Sequence, residues 1–411
     1  MIEFKQSTKK EECMKICIIA PVVLPILGRN QKYGGIEIVV SIAEEELVKR
    51  GHDVYFFASG DSKTSAKLIP TIPKALGQGV SFEKESKCNA LAYKKAIALK
   101  PDVIWDNTYA IHANVMKENQ SKFLFQADIV LNKEARIDTE GIPVVQTLHG
   151  PAKDHMPGLI KGLSDCGNYF VSISKDQARR YLEIMPDFNQ LGTVYNAVDT
   201  EFYKPVPKKT GDYLLWVGRY CMEKGPHIAL EVAHRIGMPM KFVGKRAETH
   251  EKAYFEKFIE PYLTNSDAVY DSDIPTAQKV ELYANAKATM MTNLWPEPFG
   301  LVVAESMACG TPVVGPELGS LSELIDKAGV LVPVNDLGLD ENETEVTESQ
   351  KKYIDRIVKY MPKIDNFPCS VPRKRAEFLF SGQHNAAGYE EAFVKAMYIE
   401  SLGKRELIDS N

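Results

Sequence analysis

Short apolar runs alternate along this chain with stretches of helical periodicity. Lys15–Ala20 is a nearly uninterrupted apolar run, typical of a parallel strand buried on both faces. From Ile36 to Val48 apolar residues recur every three or four positions, which predicts a helix that Gly51 ends. Asp53–Phe57 is a second apolar run and completes a strand-helix-strand unit. The alternation predicts an α/β fold built on parallel sheets.

The same alternation continues on both sides of one interruption, Lys204–Gly211, whose proline, lysine and glycine are typical of a linker. Before it, strands are predicted at Asp102–Asp106, Pro143–Thr147, Tyr169–Ile173 and Gly192–Tyr195. After it, strands are predicted at Asp212–Val217, Met240–Gly244, Asp267–Tyr270, Ala288–Thr292, Thr311–Val314 and Gly329–Pro333. We therefore expect two doubly wound domains, residues 1–205 and 206–382, and a terminal helical segment, 383–411, that packs back on the first domain.

Composition supports two globular domains and narrows the class of partner. The chain has 411 residues, of which 44% are hydrophobic and 26% charged, and its net charge of -5 disfavours nucleic-acid binding. Seven scattered cysteines without a C-x-x-C pair predict free thiols and a cytoplasmic location. The longest apolar run, Ile16–Leu27, contains two prolines and is too short to span a membrane. Peripheral contact of the protein with the inner face of a membrane stays open.

Trp295–Val314 carries the densest candidate chemistry. Glu297 and Glu305 are eight positions apart, and Pro298 suits the start of a helix predicted over Phe299–Ala308. The start of a helix presents unpaired N–H groups and a partial positive charge, which favour a phosphate. Glu305, about two turns inside, is then within reach of the ribose hydroxyls of a nucleotide.

Other polar residues also follow predicted strands. Gly34 and Gly35 open the first helix, His149 follows the strand ending at Thr147, and Arg219 and Lys224 follow the first strand after the linker. Ligands of open α/β sheets bind beyond the carboxyl ends of the strands, so these residues are expected to line one cleft. Each alone also has a structural alternative, namely turn glycines, a buried histidine or surface charges.

Asp271-Ser-Asp273 is the candidate metal site, because an Asp-x-Asp pair can hold a divalent cation beside a diphosphate. No third carboxylate cluster lies near it in sequence, and Arg219 with Lys224 already supplies positive charge. We therefore expect no metal.

Five motifs in this order and spacing resemble the family 4 retaining glycosyltransferases. They are Tyr33-Gly-Gly-Ile36, Thr147-Leu-His-Gly150, Val194-Tyr-Asn-Ala-Val-Asp199, Gly218-Arg-Tyr-Cys-Met-Glu-Lys-Gly225 and the E-x7-E stretch Glu297–Glu305. The match runs from about residue 15 to about residue 335 and is poor from Leu337 to Phe380. The resemblance implies the GT-B fold, two Rossmann-like domains facing across a cleft.

The resemblance also implies the chemistry and the residues that perform it. Arg219 and Lys224 would hold the diphosphate, Glu297 would face the donor sugar, His149 would contact that sugar near its reacting face, and Glu305 would bind ribose hydroxyls. Backbone groups that approach the donor would belong to Gly34, Gly35, Phe299, Gly300 and Leu301. The family needs no metal or other cofactor and retains anomeric configuration by front-face attack, so stabilising the departing diphosphate carries much of the catalysis.

The implied reaction moves a sugar from a nucleoside-diphosphate sugar to an acceptor hydroxyl, in carbohydrate or glycan biosynthesis. The acceptor is a sugar, a lipid-linked molecule or a small molecule. Two alternatives stay open: a GT-B epimerase that acts on the nucleotide sugar itself, and a non-catalytic, two-lobed protein that binds sugar nucleotides.

Overall fold

The computed structural model describes residues 13–31, 34–77, 82–108, 137–152, 157–165, 167–246, 248–334, 337, 346–365 and 367–409. Tyr33 of the first motif and Cys166 of the seven cysteines lie outside these residues.

Two parallel sheets organise the part of the chain that the structure describes. The first contains β1 (Lys15–Ile19), β2 (Asp53–Ser59), β3 (Lys67–Ile72), β4 (Val103–Asp106), β5 (Val144–Leu148), β6 (Tyr169–Ser172) and β7 (Gln190–Thr193). The second contains β8 (Leu214–Arg219), β9 (Met240–Lys245), β10 (Ala268–Asp271), β11 (Ala288–Met290), β12 (Val313–Pro316) and β13 (Val330–Val332). Their orders are β3-β2-β1-β4-β5-β6-β7 and β10-β9-β8-β11-β12-β13. Both sheets are Rossmann-like, as predicted.

Helices connect the strands on both faces of each sheet. Those of the first half are α1 (Gly35–Lys49), α2 (Phe82–Ala98), α3 (Pro157–Asp165) and α4 (Lys175–Ile184). Those of the second half are α5 (Pro226–Arg235), α6 (Thr249–Phe258), α7 (Thr276–Asn285), α8 (Leu301–Ala308), α9 (Leu321–Ile325), α10 (Glu348–Tyr360) and α11 (Ser370–Leu379). The chain then forms α12 (Gly382–Asp409).

The uniform apolar runs are explained by burial on both faces of each sheet. On β1, Ile16 and Ile18 face a core that includes residues of α1 and α12, whereas Cys17 and Ile19 face a second core that includes residues of α2. The second sheet also separates two cores. A strand covered on both sides has no solvent face, so its sequence does not alternate.

Several boundaries differ from the prediction for local reasons. Helix α8 begins at Leu301 because Gly300 has φ 88°, a left-handed conformation outside the helix. Strand β12 begins only at Val313, after a proline that lacks a backbone donor. The pattern missed edge strand β3, which is only partly buried and contains Pro70, and it missed α11 within the poorly matching region.

Helix α12 packs against the first sheet. The Tyr389 ring centroid lies 4.2 Å from that of Trp105, and its hydroxyl is 2.9 Å from Thr147 Oγ1. Nearby, Glu390 pairs with Arg50 at 2.5 Å and with His52 at 2.6 Å. We propose domain boundaries after residues 205 and 382, with 383–411 as the returning segment, since these contacts connect α12 to the first sheet.

The two halves also meet directly. Glu323 of α9 accepts hydrogen bonds from the Tyr195 hydroxyl at 2.6 Å and from the amides of Lys175 and Asp176 at 3.1 and 2.9 Å. A carboxylate of the second sheet's domain therefore lies at the N-terminus of α4 in the first.

Candidate active site

An ion pair joins two loops at the carboxyl edge of the second sheet. Lys224 Nζ lies 2.5 Å from Glu297 Oε2, and Asn293 Nδ2 donates to the same oxygen at 2.5 Å. Lys224 belongs to the loop after β8, whereas Asn293 and Glu297 belong to the loop after β11, its neighbour in the sheet. The structure thus brings together two residues that are 73 positions apart in sequence.

Gly225 allows the two loops to approach. It has φ 60°, and a Cβ at this position would collide with the carbonyl oxygen of Thr292. The Thr292 hydroxyl in turn donates to the Gly225 carbonyl at 2.7 Å, and the Leu294 amide donates to the Glu223 carbonyl at 2.9 Å. These contacts fix Lys224 opposite Glu297.

Gly319 and Ser320 hold Glu297 from the other side. The Ser320 amide donates to the Glu297 carbonyl at 3.1 Å, and its hydroxyl donates to the Phe299 carbonyl at 2.7 Å. A Cβ on Gly319 would lie 2.8 Å from the Glu297 nitrogen. The backbone of the loop is therefore fixed, and a fixed backbone is what a preorganised site requires.

Arg219 is the last residue of β8, just before the loop that carries Lys224. Its guanidinium pairs with Glu223 at 2.5 Å, and its side chain is 42% exposed. Arg219, predicted to follow the strand, is its last residue in the structure, and it pairs with a carboxylate of the loop that follows.

Trp295 and Asn293 were not singled out by sequence reasoning. The Trp295 ring centroid is 5.0 Å from Lys224 Nζ, and its indole Nε1 is buried without a hydrogen-bond partner. Asn293 is buried and binds the Glu297 carboxylate. The available signal was their position, since both are polar or amphipathic groups that follow β11 and precede Glu297.

The start of α8 presents backbone groups toward this edge. The Phe299 side chain is buried in the core, with its ring centroid 6.2 Å from Tyr195 and 5.7 Å from Phe380. The backbones of Phe299 and Gly300 precede the helix, and Leu301 opens its first turn, where amides have no intrahelical acceptor. Such amides favour an anion or a hydroxyl oxygen.

Glu305 has different partners from Glu297. Its carboxylate is buried and accepts hydrogen bonds from Tyr203 at 2.8 Å, Lys279 at 3.0 Å and Tyr283 at 2.8 Å. Burial and the adjacent carboxylate raise the pKa of both tyrosines, which therefore stay protonated donors. In this structure Glu305 connects α8 to α7 and to the segment before the linker.

The glycine pair lies where the two domains approach each other. Gly34 has φ 115° and precedes α1, and the Glu37 carboxylate lies against it. A Cβ on Gly35 would be 3.2 Å from Leu301 Cδ1, so this glycine lets the α8 start come close to the first domain. Glu37 thus covers the helix N-terminus that the family resemblance assigns to the approach of the donor.

His149 follows β5 and faces the end of β4. Its Nε2 lies 3.1 Å from Asn107 Oδ1. Burial lowers the pKa of His149 to about 4, a shift that the nearby Asp106 opposes. The imidazole is therefore neutral near pH 7, with one donor and one acceptor nitrogen.

Asp271 and Asp273 are both exposed. Within the described ranges, no three or more His, Cys, Asp or Glu side chains are placed to hold a metal ion. The search of the described helices also finds none that is both long enough and apolar enough to cross a bilayer.

Two sequence profiles divide the chain between them. The profile "Glycosyltransferase Family 4" matches residues 33–202, and the profile "Glycosyl transferases group 1" matches residues 198–366. The chain belongs to the group 1 glycosyltransferases, with a family 4 first half.

Curated relatives resemble the chain in sequence, and solved structures resemble it in fold. D-inositol 3-phosphate glycosyltransferase of Acidothermus cellulolyticus is 27% identical over 349 residues, covering 74% of this chain and 75% of that protein. AviGT4, a glycosyltransferase involved in avilamycin A biosynthesis, superposes with a TM-score of 0.63 at 19% identity, covering 94% and 98% of the two chains. Anabaena HepE, solved in complex with UDP and glucose, superposes with a TM-score of 0.63 at 17% identity, covering 93% of this chain and 99% of that one. These likenesses show the GT-B fold.

Proposed function

We propose that this glycosyltransferase moves a sugar from a nucleoside-diphosphate sugar to an acceptor hydroxyl, with retention of configuration and without a metal ion. The observation that carries the proposal is the Lys224–Glu297 pair, held between the loops after β8 and β11 at the carboxyl edge of the second sheet. Ligands of this fold class bind at that edge.

The cations act on the leaving group. Negative charge develops on the diphosphate as the bond to the sugar breaks, and Arg219 at the end of β8 with Lys224 on the following loop supplies positive charge. Lys224 is partly buried, with 19% of its side chain exposed, so water screens its field less than that of a surface lysine. This positive charge supports a metal-independent reaction.

Glu297 orients the donor sugar. Lys224 and Asn293 both contact its Oε2, and among the described residues none donates to Oε1. We assign Oε1 to a hydroxyl of the donor sugar, and the first-turn amides of α8 to a second hydroxyl or a phosphate oxygen.

We propose retention by front-face attack, which needs no nucleophile from the protein. Glu297 is held by the ion pair with Lys224, and we assign its carboxylate to binding rather than to attack. His149 contacts a hydroxyl of the donor sugar near its reacting carbon.

Two parts of the proposal concern the periphery of the site. Glu305 is proposed to bind ribose hydroxyls through the acceptor capacity left on its buried carboxylate, which already accepts three hydrogen bonds. The approach of a diphosphate to Gly34 and Gly35 requires Glu37 to move or to be protonated. We also propose a cytoplasmic location, where cysteines stay reduced. The six cysteines that the structure describes are free thiols.

The test is a donor screen with UDP-glucose, ADP-glucose and GDP-mannose, measuring nucleoside-diphosphate release with and without sugar acceptors and in EDTA. Glu297→Gln and Lys224→Met should each lower kcat by about 10²-fold, as loss of one transition-state contact does. The control is Glu317→Gln, an exposed glutamate. Proton NMR of the new glycosidic bond should show the donor's anomeric configuration.

The other outcomes distinguish the alternatives. An inverted product would refute the retaining mechanism. Conversion of the donor to another nucleotide sugar without acceptor would identify an epimerase. Donor binding without turnover on any acceptor would identify a binding protein.

A further inference from the structure

Two buried asparagines in the first domain carry amide nitrogens without hydrogen-bond partners. Asn89 is 1% exposed and Asn107 is 0% exposed, and neither Nδ2 has a partner. A buried donor left unsatisfied costs about 1–3 kcal/mol, and native structures keep few of them. Two such donors in one region indicate a ligand that accepts hydrogen bonds.

Asn107 lies beside the candidate catalytic histidine. Its backbone N–H donates to the carbonyl of Ile19 at the end of β1 (2.9 Å), and its side-chain Oδ1 lies 3.1 Å from His149 Nε2. If the side-chain amide is turned over, its nitrogen meets His149 and its oxygen loses a partner instead. One polar atom of Asn107 therefore lacks a partner in either orientation, next to a partly exposed imidazole.

Asp106 fixes this end of the sheet and positions α2. Its Oδ2 accepts hydrogen bonds from the Tyr93 hydroxyl at 2.7 Å and from Gln146 at 3.0 Å, and its Oδ1 accepts from the Thr108 amide at 2.8 Å. Tyr93 is four residues, about one turn, after Asn89 on α2. Because α2 returns to the next parallel strand, its N-terminal turns lie toward the carboxyl edge of the sheet, so Asn89 lies on the cleft side of Tyr93.

Two carboxylates complete the cluster. Glu85 lies one turn before Asn89 on α2. Glu37 of α1 is close enough to Glu85 for the two carboxyl groups to interact electrostatically. Burial raises the pKa of both carboxyls. Carboxyl groups at this position bind hydroxyls well, and they disfavour a second anion.

We propose that Asn89, Asn107, Glu37 and Glu85 form an acceptor subsite for a neutral, polyhydroxylated molecule, and that it discriminates against a phosphorylated acceptor. The inference rests on the proposed transferase function and adds the class of acceptor. Neutral sugars and polyols offer the hydroxyl oxygens that the two amides need and the hydroxyl protons that the carboxylates accept. Within the described part of this subsite, Asn89, Asn107, Glu37, Glu85 and His149 contribute no positive charge near pH 7 to attract a phosphate.

The experiment compares matched acceptors with and without phosphate on the full chain. Saturation-transfer NMR measures binding of myo-inositol against inositol 3-phosphate and of glucose against glucose 6-phosphate, and UDP release from UDP-glucose measures transfer. We expect each neutral probe to bind at least about tenfold more tightly than its phosphate, a difference of about 1.4 kcal/mol. Equal or tighter binding of the phosphates would overturn the inference, as would the failure of every neutral probe to bind.

Variants locate the subsite. Asn107→Ala and Asn89→Ala should each raise the dissociation constant of the neutral probe by about tenfold, and Asn89→Ala should leave the dissociation constant of the donor within about twofold. Glu37→Gln combined with Glu85→Gln should reduce the discrimination against phosphate. Asn265→Ala, at an exposed asparagine of the second domain, is the control, and thermal unfolding checks that each variant is folded. Wild-type acceptor binding in both asparagine variants would refute the assignment.

The test separates this inference from the proposed function. If neutral probes bind, and binding is lost in the asparagine variants, the subsite is supported even where no donor is turned over, and the transferase proposal fails alone. If transfer occurs but only to phosphorylated acceptors, the transferase proposal is supported and the subsite is overturned.

Discussion

Glu323 accepts a 2.6 Å hydrogen bond from the hydroxyl of Tyr195, so a carboxylate of the second domain is held by a side chain of the first. The same carboxylate accepts from two amides at the start of α4, where the helix has unpaired donors and a partial positive charge. It thereby acts as an N-terminal cap supplied by another domain.

Removing that cap should loosen the contact between the domains. In Glu323→Ala three donors of the first domain lose their acceptor, so we expect the free energy of unfolding to fall by about 1–3 kcal/mol. Small-angle scattering should show a larger radius of gyration. Glu317→Ala, on an exposed glutamate of the same domain, should change neither quantity. An unchanged radius of gyration and melting temperature in Glu323→Ala would contradict the capping role.

Gly225→Ala should lower stability and transfer together. The added Cβ combines a strained positive φ with a collision against the Thr292 carbonyl oxygen, which displaces Lys224 from Glu297. Gly237→Ala is the matched control, because Gly237 has φ 68° but nothing within 4 Å of its Cβ position. We expect the shared backbone strain to lower the free energy of unfolding by about 1 kcal/mol in both variants. Only Gly225→Ala should lose further stability and show a reduced kcat. Equal melting temperatures and kcat values in the two variants would argue against the collision.

Glu305→Gln tests whether this buried carboxylate stabilises the fold as well as a ligand. The change leaves Lys279 partly buried without its anion, and breaking a buried pair costs about 3–5 kcal/mol. Chemical denaturation should record that loss, and Glu305→Gln with Lys279→Met should recover part of it. If Glu305→Gln weakened donor binding at unchanged stability, the three hydrogen bonds would not contribute to folding.

Acid should destabilise the protein through histidines whose pKa is lowered in the folded state. Burial lowers the pKa of His227 to about 4, below the ordinary value of 6.5, although its hydrogen bond with Gln350 opposes the shift. Between these two values the unfolded state binds a proton that the folded state does not, so stability falls as pH decreases through this window. The slope is at most about 1.4 kcal/mol per pH unit for each such group. His149 adds a second contribution of the same sign.

Urea unfolding between pH 7 and pH 4 measures this slope. His227→Asn should flatten it, and His384→Asn, at an exposed position, should not. A wild-type slope in His227→Asn would exclude His227 as a contributor.

The sheets could be predicted from sequence because strands buried on both faces leave uninterrupted apolar runs. Edge strand β3 lacks that signature, since it is only partly buried and carries a proline. The predicted α/β fold with two Rossmann-like sheets is confirmed.

Candidate site residues were found where a motif follows a strand, as at Lys224 and Glu297, and the roles assigned to them stay predictions. Residues whose significance depends on a distant partner carried no such signal. Asn107 matters because of His149, and Glu323 because of Tyr195, and both pairs form only when the chain folds. The three donors to Glu305 were invisible for the same reason.

The return of α12 to the first sheet has a consequence for synthesis of the protein. Trp105, Thr147 and Arg50 are translated early, but Tyr389 and Glu390, which cover or pair with them, follow the whole second domain. The nascent first half therefore leaves the ribosome with part of its apolar surface bare, and it keeps that surface until the last helix emerges. The first domain therefore cannot finish folding before the second domain is synthesised, because it needs α12 to complete its core.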